Sequence, residues 1–157
     1  MKVFHTSNII IRQPDAEHSR DFLDFGRGFY VTTLREQAVK YGARFRARGL
    51  QPILNEYDVA EDYSAFKYKR FDTYNEDWLD FVAANRDGQT VEYYDIIEGG
   101  VANDKVFDTI DLYFAGRMSK TDALRQLSFM QPNWQICFRS DDAIASLLIF
   151  LQYNIIE

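Results

Sequence analysis

Sulfur and imidazole are scarce in this chain. It carries one cysteine, Cys137, and two histidines, His5 and His18. A single thiol cannot close an intrachain disulfide, so the chain is no disulfide scaffold. The same three residues are too few for a cysteine-based zinc module, and a histidine-rich metal site is not expected. Only Pro14, Pro52 and Pro132 interrupt the backbone, and no repeat, Ser/Gly-rich linker or low-complexity run is present. No apolar run reaches the ~18 residues of a membrane-crossing helix. The longest cluster is Leu147 to Leu151. The opening Met1-Lys2-Val3-Phe4-His5 lacks the apolar stretch of a secretory leader. The expectation is therefore a cytoplasmic protein in a reducing setting, without a membrane partner.

Aromatic residues are abundant. Thirteen Phe, ten Tyr and two Trp contribute to an apolar share of 46%. That is enough apolar surface to offset chain entropy, which excludes a disordered chain. The length suits one domain over residues 1–157. Acidic residues outnumber basic ones by 24 to 18, a net charge of −6. This opposes non-specific nucleic-acid binding, which needs a positive surface, but leaves room for a local basic patch.

Strands and helices alternate irregularly along the chain, which favours an α+β class. Lys2 to Thr6 reads as a strand, Asn8 to Arg27 as irregular, and Phe29 to Thr32 as a second strand after Gly28. Thr33-Leu34-Arg35-Glu36 has the form of a capping box, followed by Leu34, Ala38, Tyr41 and Phe45 at helical spacing and Gly49 as a stop. Pro52 to Ala60 and Ala65 to Phe71 read as strands that could pair. Thr73-Tyr74-Asn75-Glu76 has the form of a second capping box, ahead of the stripe Trp78, Phe81, Val82. Val91 to Ile97 reads as a strand ended by Gly99-Gly100. Val106, Ile110, Tyr113 and Phe114 form a helical stripe, and Ser119 caps a further helix. Trp134 to Arg139 reads as a strand, Ser140 to about Leu151 as a helix, and Tyr153 to Ile156 as a last strand.

Several residues carry candidate chemistry, each beside an ordinary reading. His5 ends the first strand, where a histidine is usually a satisfied structural residue. Cys137 could be a nucleophile with His5 as base, or a buried small hydrophobe. His18 lies in a charged stretch and is expected in solvent. Gly26-Arg27-Gly28 permits a tight turn and a close backbone approach to a ligand, or is simply a turn. It precedes a strand and not a helix, so it is no dinucleotide-fold fingerprint. Arg27 could reach a phosphate or be a solvated loop charge. On Trp134 to Arg139, Gln135, Cys137 and Arg139 share a face opposite Trp134, Ile136 and Phe138. A glutamine there is ordinarily surface. The helix over 34–48 bears Arg35, Lys40, Arg44, Arg46 and Arg48, either a solvated face or a docking surface for an acidic partner.

In order, these elements resemble the ADP-ribosyltransferase superfamily, in the branch of diphtheria toxin and the poly-ADP-ribose polymerases. The resemblance rests on three stretches. The first is His5-Thr6-Ser7. The second is Gly26-Arg27-Gly28-Phe29-Tyr30, with Tyr41 eleven residues on. The third is Asn133-Trp134-Gln135-Ile136-Cys137-Phe138. The stretch Asp24 to Tyr41 is most similar to a bacterial family described as a domain of unknown function, whose genes often neighbour a small antitoxin-like gene. The resemblance implies two facing, mostly antiparallel sheets around an NAD cleft, with flanking helices. It also implies site roles. His5 would bond the nicotinamide-side ribose, and Thr6 would meet the carboxamide through its backbone. Tyr30 and Tyr41 would sandwich the nicotinamide ring. Gln135 would bond the ribose hydroxyl beside the scissile bond. His5, Tyr30 and Gln135 are the expected catalytic set. His5, Thr6, Ser7, Arg27, Gly28, Tyr30 and Tyr41 are the expected NAD-binding set. The implied partners are NAD, a cognate antitoxin and an acceptor of ADP-ribose, either protein or nucleic acid.

Two positions depart from that pattern. Ala38 stands where the polymerases carry a nicotinamide-contacting serine, and Gln135 stands where the branch carries glutamate. A carboxylate ~4 Å from a developing cation contributes ~4 kcal/mol at an effective dielectric of ~20. Glutamine lacks that charge. A slow enzyme, a degenerate NAD- or ADP-ribose-binding module, or recruitment of another acid, with Glu92 and Glu98 as candidates, are the alternatives. A partner-binding protein using the basic helix is a further one.

Overall fold

The computed structural model describes residues 1–130 and 133–157. Its elements are β1 (Lys2–Ser7), β2 (Phe29–Val31), α1 (Arg35–Tyr41), α2 (Ala43–Arg46), β3 (Ile53–Val59), β4 (Tyr68–Arg70), α3 (Glu76–Arg86), β5 (Ile96–Gly100), α4 (Asp104–Phe114), α5 (Lys120–Leu127), β6 (Trp134–Phe138), α6 (Asp141–Leu147) and β7 (Leu148–Ile155). The class is α+β. One sheet has the order β1-β3-β7 and the other β2-β6-β5-β4. Every ladder is antiparallel except β4 with β5. Among the described residues no helix is long and apolar enough to cross a membrane.

The sheets face each other across a core of Val3, Tyr57 and Val59 from one and Phe29, Val31, Ile96, Ile136 and Phe138 from the other, closed by α6. Alternation along β5 and β6 sends Ile97 and Cys137 to the opposite face, where they pack with Trp78, Leu79 and Val82 of α3, Val106 and Ile110 of α4, and Phe25. The outer face of the first sheet meets α1 through Phe4, Leu54 and Ala38. Both faces of β6 are therefore buried. Its Gln135 face, which alternation alone marks as surface, is interior.

Side-chain caps set four helix starts. Asn75, Asn103, Ser119 and Ser140 accept from the backbone N–H of Trp78, Val106, Asp122 and Ala143. The two capping boxes read from the sequence are not the caps. Asn75 displaces Thr73, whose carbonyl accepts the Asn75 N–H. The first helix begins at Arg35 with Leu34 at the cap and no side-chain cap bond. There Thr32 takes the Leu34 N–H at 3.0 Å.

Other boundaries differ for tertiary reasons. The 34–48 helix divides into α1 and α2 at Gly42, where a Cβ would lie 3.0 Å from Pro52 Cβ and from Val39 O. Gly49, at φ +73°, ends it as expected. The strands expected to pair, β3 and β4, lie in different sheets, because β4 returns through α3 to run parallel to β5. β5 begins at Ile96 and runs through Gly99 and Gly100. A Cβ on Gly99 would press on Phe71 and Phe25 at 3.1 and 3.2 Å, so the glycine belongs inside the strand. The last helix stops at Leu147, because Leu148 onward pairs with β3.

Candidate functional site

Among the described residues one isolated backbone bridge joins the two sheets. Phe4 N–H donates to Thr32 O at 2.8 Å, and Thr32 N–H to Phe4 O at 3.0 Å. The next register position would oppose Thr6 to Tyr30, but the strands splay there. Backbone groups alternate along a strand, so those of Thr6 turn the same way as those of Phe4, away from β3. Among the described residues no backbone bond outside the strand ladders involves the N–H or C=O of Thr6. An open donor–acceptor pair thus faces the notch between β1 and β2.

The notch is filled at one level by His5. Its Nδ1 lies 2.6 Å from Tyr30 O. A carbonyl only accepts, so Nδ1 carries the proton and Nε2 of the neutral ring is an acceptor. Burial lowers the His5 pKa and outweighs the bond to Tyr30 O, which keeps the ring neutral. The imidazole stacks on Phe29 at 4.4 Å.

Tyr30 opposes Cys137 in the register of β2 with β6, and Gln135 lies two residues along on the same face. Its phenol donates to Gly26 O at 2.5 Å and accepts from Phe25 N–H at 3.0 Å. Burial raises its pKa well above the ordinary value. The Gly-x-Gly turn is required by this packing. Gly26 sits at φ +85°, and a Cβ on Gly28 would lie 2.5 Å from Cys137 Sγ and 2.8 Å from Phe138 O. Cys137 is fully buried and burial pushes its thiol up to about 12. This is the small-hydrophobe reading; a thiol so placed is no nucleophile.

Gln135 is buried. Its Nε2 donates to Asp24 Oδ2 at 3.1 Å and to Gly100 O at 3.3 Å. Asp24, also buried, accepts from Arg86 Nε and Nη2 at 2.9 and 2.6 Å and from Ala102 N–H at 3.1 Å. The sequence places Asp24 beside the glycine turn, but carries no sign that Arg86, 62 residues on, would reach it.

Helix α1 spans from one sheet to the other. Thr6 Oγ1 donates to Ala38 O at 2.5 Å. Gln37 Nε2 donates to Trp134 O, and Gln37 Oε1 accepts Trp134 N–H, each at 3.0 Å. Tyr41 follows Gln37 by one turn and is 40% exposed. Its ring meets Phe45 edge-on at 6.0 Å and lies under Arg44 at 4.9 Å. Tyr41 does not pair with Tyr30 among the described aromatic contacts. Ser7 ends β1 and accepts weakly from Ile9 N–H at 3.4 Å.

Arg27 is an exposed charge paired with Asp21 at 2.6 Å. It also lines an open cleft of about 240 Å³ with Ala16, Glu17, Arg139 and Asp141. His18 is exposed and paired with Asp15. Neither alternative acid reaches Gln135. Glu92 is an exposed partner of Lys67. Glu98 opposes Ile136 in register, whereas Gln135 opposes Gly99, so the Glu98 carboxylate lies on the other face of the sheet. There it accepts from Trp134 Nε1 at 2.9 Å and from the Tyr68 hydroxyl, and burial raises its pKa.

The geometry thus brings His5 and Thr6 against the Tyr30 backbone and α1 at the junction of β1 and β2. The Tyr30 phenol and the Gln135 amide lie on the other face of β2 and β6, the Cys137 face, and no contact among the described residues joins them to His5 or Thr6. The chain belongs to the DUF3990 family, described as a protein of unknown function, whose family model matches residues 1–150. No curated protein and no solved structure matches it.

Proposed function

We propose that this protein is an NAD-dependent ADP-ribosyltransferase, acting as the toxin of a toxin–antitoxin pair. The observation that carries the reading is the open N–H and C=O pair of Thr6 beside a neutral His5 and opposite Tyr30. A primary carboxamide has a complementary acceptor and donor, so nicotinamide can take both bonds in the notch. Tyr30 and Tyr41 supply flat faces for the ring. His5 Nε2 and Gln135 Oε1 are acceptors for ribose hydroxyls.

The bond between ribose C1′ and the pyridinium nitrogen breaks, and its electron pair leaves with neutral nicotinamide. The oxocarbenium-like ribose is captured by an acceptor nucleophile, which then loses its proton. Gln135 orients the ribose without contributing negative charge. The absent carboxylate costs about 10²- to 10³-fold in rate, so turnover is slow.

The test is incubation with labelled NAD, reading released nicotinamide and label on protein or nucleic acid. Release that is lost in His5→Ala and Tyr30→Ala supports the reading; no release from the wild type opposes it. Growth arrest on expression that disappears in the same variants supports the toxin role. A second reading, an NAD- or ADP-ribose-binding module without turnover, is favoured by Gln135 itself. Binding by calorimetry without nicotinamide release distinguishes it.

A further inference from the structure

We propose that Asp24 is a positioning residue that turns the Gln135 amide so that its oxygen, not its nitrogen, faces substrate. This rests on the transferase reading above. An amide has a donor end and an acceptor end, and its neighbours decide which end faces out. The groups behind Gln135 are Asp24 Oδ2 and Gly100 O, both acceptors. Only the NH2 group can satisfy them, so Oε1 is directed away. Among the described residues no donor reaches Oε1, and it is not a sealed, unsatisfied atom. A carbonyl oxygen presented there accepts a ribose hydroxyl in the manner of one carboxylate oxygen.

Asp24 is itself immobilised. Arg86 holds Oδ1 through two bonds, Ala102 N–H holds Oδ2, and Asn85 Nδ2 donates to the Asp24 carbonyl at 3.1 Å. Arg86 lies over the Phe107 ring at 4.0 Å. The aspartate is thus anchored to α3, α4 and the segment after β5, and Arg86 balances its charge.

The test compares wild type, Asp24→Asn, and the exchange Asp24→Asn with Gln135→Glu. Three readouts are used: nicotinamide release from NAD, NAD affinity by calorimetry, and the side-chain amide resonances of Gln135. In Asp24→Asn the new amide nitrogen replaces an acceptor, and Gln135 turns its oxygen inward. The expected result is a fall in kcat of roughly 10- to 100-fold with KM for NAD changed less than about threefold, and displaced Gln135 amide resonances. The exchange restores an inward donor–acceptor bond and an outward acceptor that now carries charge, and kcat rises to at least the wild-type value.

A kcat unchanged in Asp24→Asn, or unrescued by the exchange in a folded protein, overturns the proposal. If the wild type neither binds NAD nor releases nicotinamide, the transferase reading fails first. The resonances then decide the orientation alone: displacement in Asp24→Asn supports it, and unchanged resonances overturn it.

Discussion

Replacing Gln135 by glutamate supplies the carboxylate that the chemistry lacks, yet the structure makes that charge expensive. Gln135 Nε2 sits 3.1 Å from Asp24 Oδ2. A carboxylate oxygen in its place loses a hydrogen bond and meets a like charge. At an effective dielectric of ~20 the repulsion at that distance is about 5 kcal/mol if both groups ionise. Arg86 offsets part of it, and the new glutamate can take up a proton instead. A folded-state pKa raised about 2 units above the ordinary ~4.3 corresponds to about 3 kcal/mol. The group binds its proton more tightly when folded, so the penalty is small below the unfolded pKa. It grows as pH rises and is complete above the folded pKa. Urea denaturation of wild type and Gln135→Glu should therefore differ by about 3 kcal/mol near pH 8 and by about half that near pH 5.5. Adding Asp24→Asn should remove most of the difference. A Gln135→Glu variant as stable as wild type at both pH values would refute the reasoning.

Four further outcomes are expected. Gly28→Ala forces a Cβ to 2.5 Å from Cys137 Sγ and should cost about 2–3 kcal/mol by thermal denaturation. Gly49→Ala, where only the positive φ is at stake, should cost about 1 kcal/mol. The Cys137 thiol, fully buried and pushed up to about 12, should resist iodoacetamide near pH 8 until urea unfolds the chain; stoichiometric labelling of the native protein would contradict this. His5 has its pKa lowered below the ordinary 6.5, so the stability tied to it is complete above about 6.5 and is lost as pH falls through the folded pKa. Exposed His18 shifts the opposite way, so the comparison belongs in a His18→Ala background, where His5→Gln should flatten the stability–pH slope just below about 6.5.

The α+β class and most elements are legible in the sequence because periodicity acts locally, whereas the two-sheet arrangement is implied only by the family resemblance. The notch is legible in outline, since His5-Thr6 and Gly26 to Tyr30 flank strands that meet at Phe4 and Thr32. What is not legible comes from distant partners. Alternation marks Gln135 as surface, because nothing local reveals that Phe25, α3 and α4 cover that face of β6. The pairing of β4 with β5 depends on the return through α3, and the space that Pro52 and Ile156 leave beside Gly42, too tight for a Cβ, is set by distant parts of the chain. The bond between Gln135 and Asp24 joins residues 111 positions apart, beyond the reach of any spacing rule.

The most direct test of the account is an NMR titration of the full chain with NAD, following backbone amides. Binding in the notch between β1 and β2 predicts that the amides of Thr6 and Tyr30 shift together, with saturation at one equivalent. An absence of binding, or shifts confined to residues remote from both strands, would contradict it.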